Sequence, residues 1–301
     1  MIIDDFLRYM QTEKVASPIT ITSYRLALND FSRFVATLDG QQLETVDSDV
    51  IREWLSTLME QGRKASTVCR QLSAVKSMYR YALSHGLVAK DPAHLVRGPK
   101  KQKPLPVILK EAEADALFDR LEWDDGSFAD VRARTILLLL YSTGARRAEA
   151  VALDDSDISL VNKEVKFTGK RRKQRIVPLT DELASQVRHY VQARDASVAR
   201  VDDAFLVGDK GARITPSQVY GIVRKYLSLV TTAGKRSPHV LRHSFATAML
   251  NHDARLGSVQ KLLGHESVAT TEIYTHVTFE DLKRVYNNAH PRALPADETD
   301  R

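Results

Sequence analysis

His239 and Arg242 stand three residues apart in the stretch His-Val-Leu-Arg-His-Ser-Phe-Ala-Thr-Ala-Met-Leu. Pro238 precedes them at a position that the first turn of a helix tolerates. Leu241, Phe245, Ala248 and Met249 then recur at helical spacing and form one apolar face. At about 100° per residue, His239 and Arg242 fall together off that face, where two polar groups can reach one ligand. Further on, Leu262-Leu263-Gly264 reads as a helix stopped by glycine. His265 follows at once, and Tyr274 comes nine residues later, beside Ile273. Upstream, Thr143-Gly144-Ala145-Arg146 turns into another helix, with Glu149 three residues on along the same face. An arginine at a helix N-terminus is a good seat for a phosphate oxygen. Arginines for an anion, histidines for proton transfer and a tyrosine hydroxyl suit acid–base and nucleophilic chemistry.

Taken singly, these residues are ordinary: a tyrosine in a helical stretch packs in a core, and an arginine is a solvated charge. Their order makes them specific. His-Val-Leu-Arg-His-Ser-Phe-Ala-Thr, Leu-Leu-Gly-His and Ile-Tyr-Thr-His-Val resemble the C-terminal signature of the tyrosine recombinases, or phage integrases. They are most similar to the XerC/XerD type of bacterial recombinase. Thr-Gly-Ala-Arg followed by Glu149 resembles the first signature box of that family, with Ala145 where leucine or isoleucine is commoner. Arg147 competes with Arg146 for the role of first arginine. Arg146 is preferred because it directly follows Thr-Gly-Ala.

The resemblance implies a division of labour. Arg146 and Arg242 would neutralise the non-bridging oxygens of a DNA phosphodiester with planar, permanently charged forks. His265 would add a hydrogen bond. Tyr274 would attack phosphorus to give a 3′-phosphotyrosyl link. His239 would take the phenol proton, since tyrosine is a poor nucleophile until ionised. Lys170, in the Gly-Lys turn of a cationic hairpin, would protonate the leaving 5′ oxygen, with Lys173 and Arg171 as competitors. Glu149 would orient the nearby charges. No metal or cofactor is required, because the phosphotyrosine bond stores the energy for rejoining. Two rounds of exchange through a Holliday junction would recombine two double-stranded DNA sites. The family also implies a homo- or hetero-tetramer on DNA, a possible paired paralogue and a possible DNA translocase as activator. Chain layout favours chromosome dimer resolution over integration of a mobile element.

The elements that must position these groups are legible in outline. The expected class is mainly α with a small β component. The resemblance implies a SAM-like four-helix core-binding domain followed by an α+β catalytic domain. Residues 1–96 read as four helices: Ile2–Glu13; one opened by Ser17-Pro18 to about Leu38; one capped by Asp47 or Ser48; and one capped by Ser66, from about Thr67 to Ser84. The Gly-Arg-Lys-Ala-Ser-Thr start of the fourth, with Arg70 one turn on, is a plausible phosphate clamp. Residues 97–106 hold three prolines and four Lys or Arg, and read as a basic extended connector. The catalytic domain then spans 107–290, with 291–301 as a flexible tail. Its helices are expected over Lys110–Leu121, 128–141, 181–199, 216–230 and Phe279–Asn288. Glu164–Thr168 and Arg175–Leu179 alternate as the strands of a hairpin. In the family, the last helix docks into a neighbouring subunit. One departure stands out: where Xer-type chains turn through Asn-Gly-Ala-Asp before Leu-Leu-Gly-His, this one has Asn251-His252-Asp253-Ala254-Arg255. Gly257 is the residue that could relocate the missing glycine.

Composition sets the remaining bounds. Lys and Arg number 44 against 38 Asp and Glu, a net charge of +6 that suits a nucleic-acid partner. The lone Cys69 excludes an intrachain disulfide framework and reads as a small buried helix residue. The apolar run 135–141 is too short to span a membrane, and the N-terminus lacks a signal-peptide core. The chain therefore reads as soluble and cytoplasmic. Two rival classes remain. His239 and His243 stand four apart as zinc pairs can, but Val240 replaces the glutamate of His-Glu-x-x-His. A DNA-binding protein without catalysis is the other.

Overall fold

The computed structural model describes residues 2–100, 107–169, 173–264 and 278–293. The chain divides into two compact units, Met1–Pro104 and Leu105–Arg301.

The first unit is four helices around one core. These are α1 (Ile2–Thr12), α2 (Pro18–Val35), α3 (Ser48–Glu60) and α4 (Ala65–Ser84). Ser17 caps α2 by accepting from the Thr20 N–H at 3.2 Å, with Pro18 in the first turn. Asp47 caps α3 by accepting from Asp49 and Val50. Ser66 does not cap α4: the helix begins at Ala65, two residues before the expected Thr67, after Lys64, whose side chain makes no capping bond. Phe6, Leu28, Phe31, Trp54, Val75 and Tyr79 bury the apolar faces against one another. Cys69 is half-buried, and its thiol donates to the Pro99 carbonyl at 3.3 Å. A Cβ on Gly98 would lie 2.8 Å from Cys69 Sγ. The first residues of the expected connector thus lie against α4, where only glycine fits.

The second unit is built on α6 (Phe128–Thr143). Twelve of its sixteen residues are buried, so it is enclosed rather than amphipathic. Its two threonine hydroxyls are satisfied internally, Thr135 donating to Val131 O and Thr143 to Leu139 O. Before it, α5 (Glu111–Asp115) passes into a π turn, Ala116–Arg120, rather than running on as one α-helix to Leu121. In that turn the consecutive Leu117 and Phe118 are both buried. After α6 come α7 (Arg147–Val151) and a three-stranded antiparallel sheet of β1 (Ile158–Ser159), β2 (Glu164–Thr168) and β3 (Gln174–Pro178). The hairpin pairs Phe167 with Arg175 and Thr168 with Gln174. The two-residue β1 is an addition to the expected hairpin.

Helices α8 (Asp181–Ser197), α9 (Pro216–Val230), α10 (Pro238–Asn251), α11 (Leu256–Leu263) and α12 (Phe279–Ala289) complete the unit. Thr180 and Thr215 cap α8 and α9. Ser244 of α10 accepts from the Leu109 N–H and donates to Val240 O, tying the unit's first residues to that helix. The Tyr286 hydroxyl of α12 donates to Ser142 O at 2.9 Å, pinning α12 to the end of α6. Between α10 and α11, Asp253 takes a left-handed conformation with φ of 61°, which Asp adopts more readily than most residues. Gly257 lies inside α11 and takes no part in that turn.

Candidate active site

The site is assembled at the ends of helices. Helix α6 stops at Gly144, with φ of 59°. A Cβ there would lie 2.5 Å from a Phe245 ring carbon and 2.8 Å from Leu263 Cδ2, so no larger residue fits. The chain therefore turns tightly over the core and delivers Arg146 as the N-cap of α7. Helix α11 stops the same way at Gly264, with φ of 62°.

Arg242, on the first turns of α10, is 7% exposed, so it lies with the buried face near Met249 rather than off it beside the exposed His239. Its guanidinium donates to Gly144 O at 2.5 Å and to Leu263 O at 2.7 Å. It thus bridges the C-terminal carbonyls of α6 and α11, where helix dipoles favour a cation. Burial, then the neighbouring Arg146, lowers its pKa to about 10. It stays charged at neutral pH. Arg146 donates from NH2 to Gly264 O at 3.4 Å, the carbonyl next to the one that Arg242 uses. Its NH1 donates to Glu149 Oε1 and its backbone N–H to Glu149 Oε2, both at 2.7 Å. Its side chain is 41% exposed.

Glu149 is 6% exposed and accepts from a second arginine as well. Arg175 of β3 donates to both of its oxygens, at 2.8 and 2.7 Å. Burial raises the Glu149 pKa, but the bonds from Arg175 and Arg146 outweigh it and hold the carboxyl below the usual carboxylate value. Sequence reasoning placed Arg175 in the hairpin without a role. The signal was its phase: it shares the inward side of β3 with Val177, while Ile176 faces out.

His239 is exposed on the first turn of α10. Burial of part of its ring lowers its pKa, helped by His243, Arg147, Arg242 and Lys235. The neutral imidazole, the form that accepts a proton, is therefore favoured. His243 lies one turn on, and no group of three or more metal-ligating side chains forms among the described residues. Lys170, His265 and Tyr274, and Arg171 as the competitor of Lys170, lie outside the described residues. So the structure brings together Arg146, Glu149 and Arg242 and sets His239 on the Arg242 helix. It brings Gly169 of the hairpin to the same carboxylate, since a Cβ on Gly169 would lie 3.6 Å from Glu149 Oε1. Arg147, the competitor of Arg146, is exposed and makes none of the bonds that hold Glu149.

Comparison with known proteins agrees with this architecture. Residues 108–281 match the phage integrase family, and residues 3–86 match the phage integrase N-terminal SAM-like domain. The chain is 36% identical to the tyrosine recombinase XerC of Chlorobaculum tepidum, over 96% of this chain and 94% of that protein. It is 38% identical to the tyrosine recombinase XerD of Pseudomonas aeruginosa, over 97% of each. Its fold is similar to that of the XerH site-specific recombinase in a post-cleavage complex with palindromic difH substrate. The TM-score is 0.73 at 23% identity, covering 94% of this chain and 83% of that one. The chain belongs to the phage integrase family, among the tyrosine recombinases of the XerC/XerD type.

Proposed function

We propose that this protein is a site-specific recombinase that cuts and rejoins duplex DNA through a tyrosine ester. Tyr274 Oη attacks the scissile phosphorus, and the bond from phosphorus to the 5′ oxygen breaks. His239 receives the phenol proton, and Lys170 supplies one to the departing 5′ oxygen. Arg146, Arg242 and His265 hold the non-bridging oxygens as charge shifts onto them. The 3′-phosphotyrosyl bond keeps the energy of the broken linkage, and a 5′ hydroxyl from a partner duplex reverses the reaction on a new strand. Two such exchanges pass through a Holliday junction. Four subunits on two sites, alike or paired with a paralogue, match this scheme. Resolution of chromosome dimers is the role that the resemblance to the XerC/XerD type implies.

The observation that carries the reading is the seating of two guanidinium groups on adjoining carbonyls, Arg242 on Gly144 and Leu263 and Arg146 on Gly264. Such a pair suits a tetrahedral anion with two exposed oxygens. The test is a nicked suicide duplex with two inverted arms around a short spacer, incubated in EDTA with wild type or Tyr274→Phe. A covalent protein–DNA band on a denaturing gel is expected from wild type only. A band that survives Tyr274→Phe would reassign the nucleophile. Tight binding without a band, even with a paralogue added, would leave a DNA-binding protein.

A further inference from the structure

Arg175 has no part in the chemistry above, yet all three of its guanidinium nitrogens are engaged. It pairs with Phe167 across the hairpin and points inward. Its side chain is 11% exposed, against 41% for Arg146, so a phosphate has little access to it. A buried guanidinium is tolerated only when its donors are taken, and three of them are. NH1 and NH2 meet the two Glu149 oxygens fork to fork, and Nε donates to Leu262 O at 2.8 Å. The guanidinium carbon also lies 4.9 Å from the centre of the Phe167 ring. One side chain thus joins the hairpin, α7 and the last turn of α11.

Glu149 transmits this arrangement. Each of its oxygens accepts one bond from Arg175 and one from Arg146, which fills its lone-pair sites. The carboxylate cannot rotate without releasing Arg146. We propose that Arg175 is a positioning residue for strand cleavage: through Glu149 it fixes the Arg146 guanidinium, and through Leu262 it fixes the helix end that leads into His265. This rests on the recombinase reading. Lysine is a poor replacement, because an ammonium has no planar fork and cannot hold both oxygens and the carbonyl at once.

The experiment uses the full chain as wild type, Arg175→Lys, Glu149→Gln and the double variant. Each is given two suicide duplexes, one with an ordinary scissile phosphate and one with a methylphosphonate there. The methylphosphonate lacks the non-bridging charge, so the placement of Arg146 matters less to it. On the phosphate, Arg175→Lys should form adduct roughly 100-fold more slowly in single turnover, the cost of a misplacement of about 1 Å. DNA affinity on a native gel should stay within about threefold, because no phosphate contact is lost. The double variant should be no slower than the slower single variant, as for residues acting in one chain of contacts. On the methylphosphonate, the gap between wild type and Arg175→Lys should shrink to roughly tenfold or less. Both duplexes are run on the same sample, so a loss of folded protein cancels in that ratio. Equal slowing on both duplexes, or additive single effects, would make Arg175 a purely structural residue and overturn the inference. If wild type reacts and Arg175→Lys matches it, the inference alone fails. If wild type reacts with neither duplex, the recombinase reading fails and takes the inference with it.

Discussion

The arginines of the two units carry the same group in opposite settings. In the second unit Arg194 and Arg242 are buried, Arg175 is 11% exposed, and all three are heavily bonded. Arg194 is 1% exposed and donates to Asp155, Asp195 and the carbonyl of Phe205. In the first unit Arg33 and Arg63 are exposed, and each reaches Asp30 over a long 3.4–3.5 Å contact. Burial makes a guanidinium costly unless its donors are filled, so the buried arginines hold backbone and carboxylates in fixed places. The exposed ones give up little on leaving their partners and are available to a polyanion. One residue type therefore builds a rigid site in one unit and an adaptable surface in the other.

The contrast can be broken in order of expected effect. Arg194→Ala should cost about 3–5 kcal/mol of stability, because it empties the space of a 1% exposed side chain and removes its bonds to Asp155, Asp195 and the Phe205 carbonyl. Urea unfolding reads this, and a loss below about 1 kcal/mol, the range of exposed pairs, would erase the distinction. Arg242→Gln should slow adduct formation by about 10²–10³-fold with DNA binding retained, the range for loss of one transition-state donor. Loss of binding in step with rate would place Arg242 among the surface contacts instead.

His239 tests the boundary between the two settings, since it is exposed yet hemmed in by cations. Its lowered pKa means that the base form persists to lower pH than in a free histidine. The rate of adduct formation should therefore hold down to about pH 6.5 and fall only below it, as the imidazole charges. His239→Gln should be roughly 100-fold slower and lose this acid limb. A limb that survives the substitution belongs to another group. The smallest effects are expected from Arg33→Ala and Arg63→Ala. Each should change stability by less than about 1 kcal/mol and reduce the slope of log affinity against log salt by about 0.9. A stability loss as large as that of Arg194→Ala would show that exposure does not set the role.

Much of this was legible in the sequence where the signal is local. Ser17, Asp47 and Thr215 announced their helices because a cap acts within three residues of itself. Gly144 and Gly264 marked the helix stops that seat the arginines. The start of the fourth helix lies two residues before the expected one because three small or hydroxyl-bearing residues, Ala65, Ser66 and Thr67, offer competing starts. Strand β1 was missed because two residues show no alternation. Arg175 escaped for a different reason. Its partner Glu149 lies 26 residues away, and nothing in the period of a five-residue strand names a distant carboxylate. The same holds for Arg194, whose partner Asp155 is 39 residues upstream. Side chains that build the site through long-range bonds leave only a charged residue in an inward phase as their trace.

The seat shared by Arg146 and Gly264 has a consequence for the nascent chain. The two are separated by 118 residues. At about 5–20 residues per second, roughly 6–24 s of synthesis pass between the appearance of the arginine and that of the carbonyl that receives it. The first unit, complete by Pro104, leaves the ribosome well before either. A growing chain therefore completes its helical unit while the seat of Arg146 is still unassembled. A message truncated between Arg146 and Gly264 yields a protein in which Arg146 has been made but never seated.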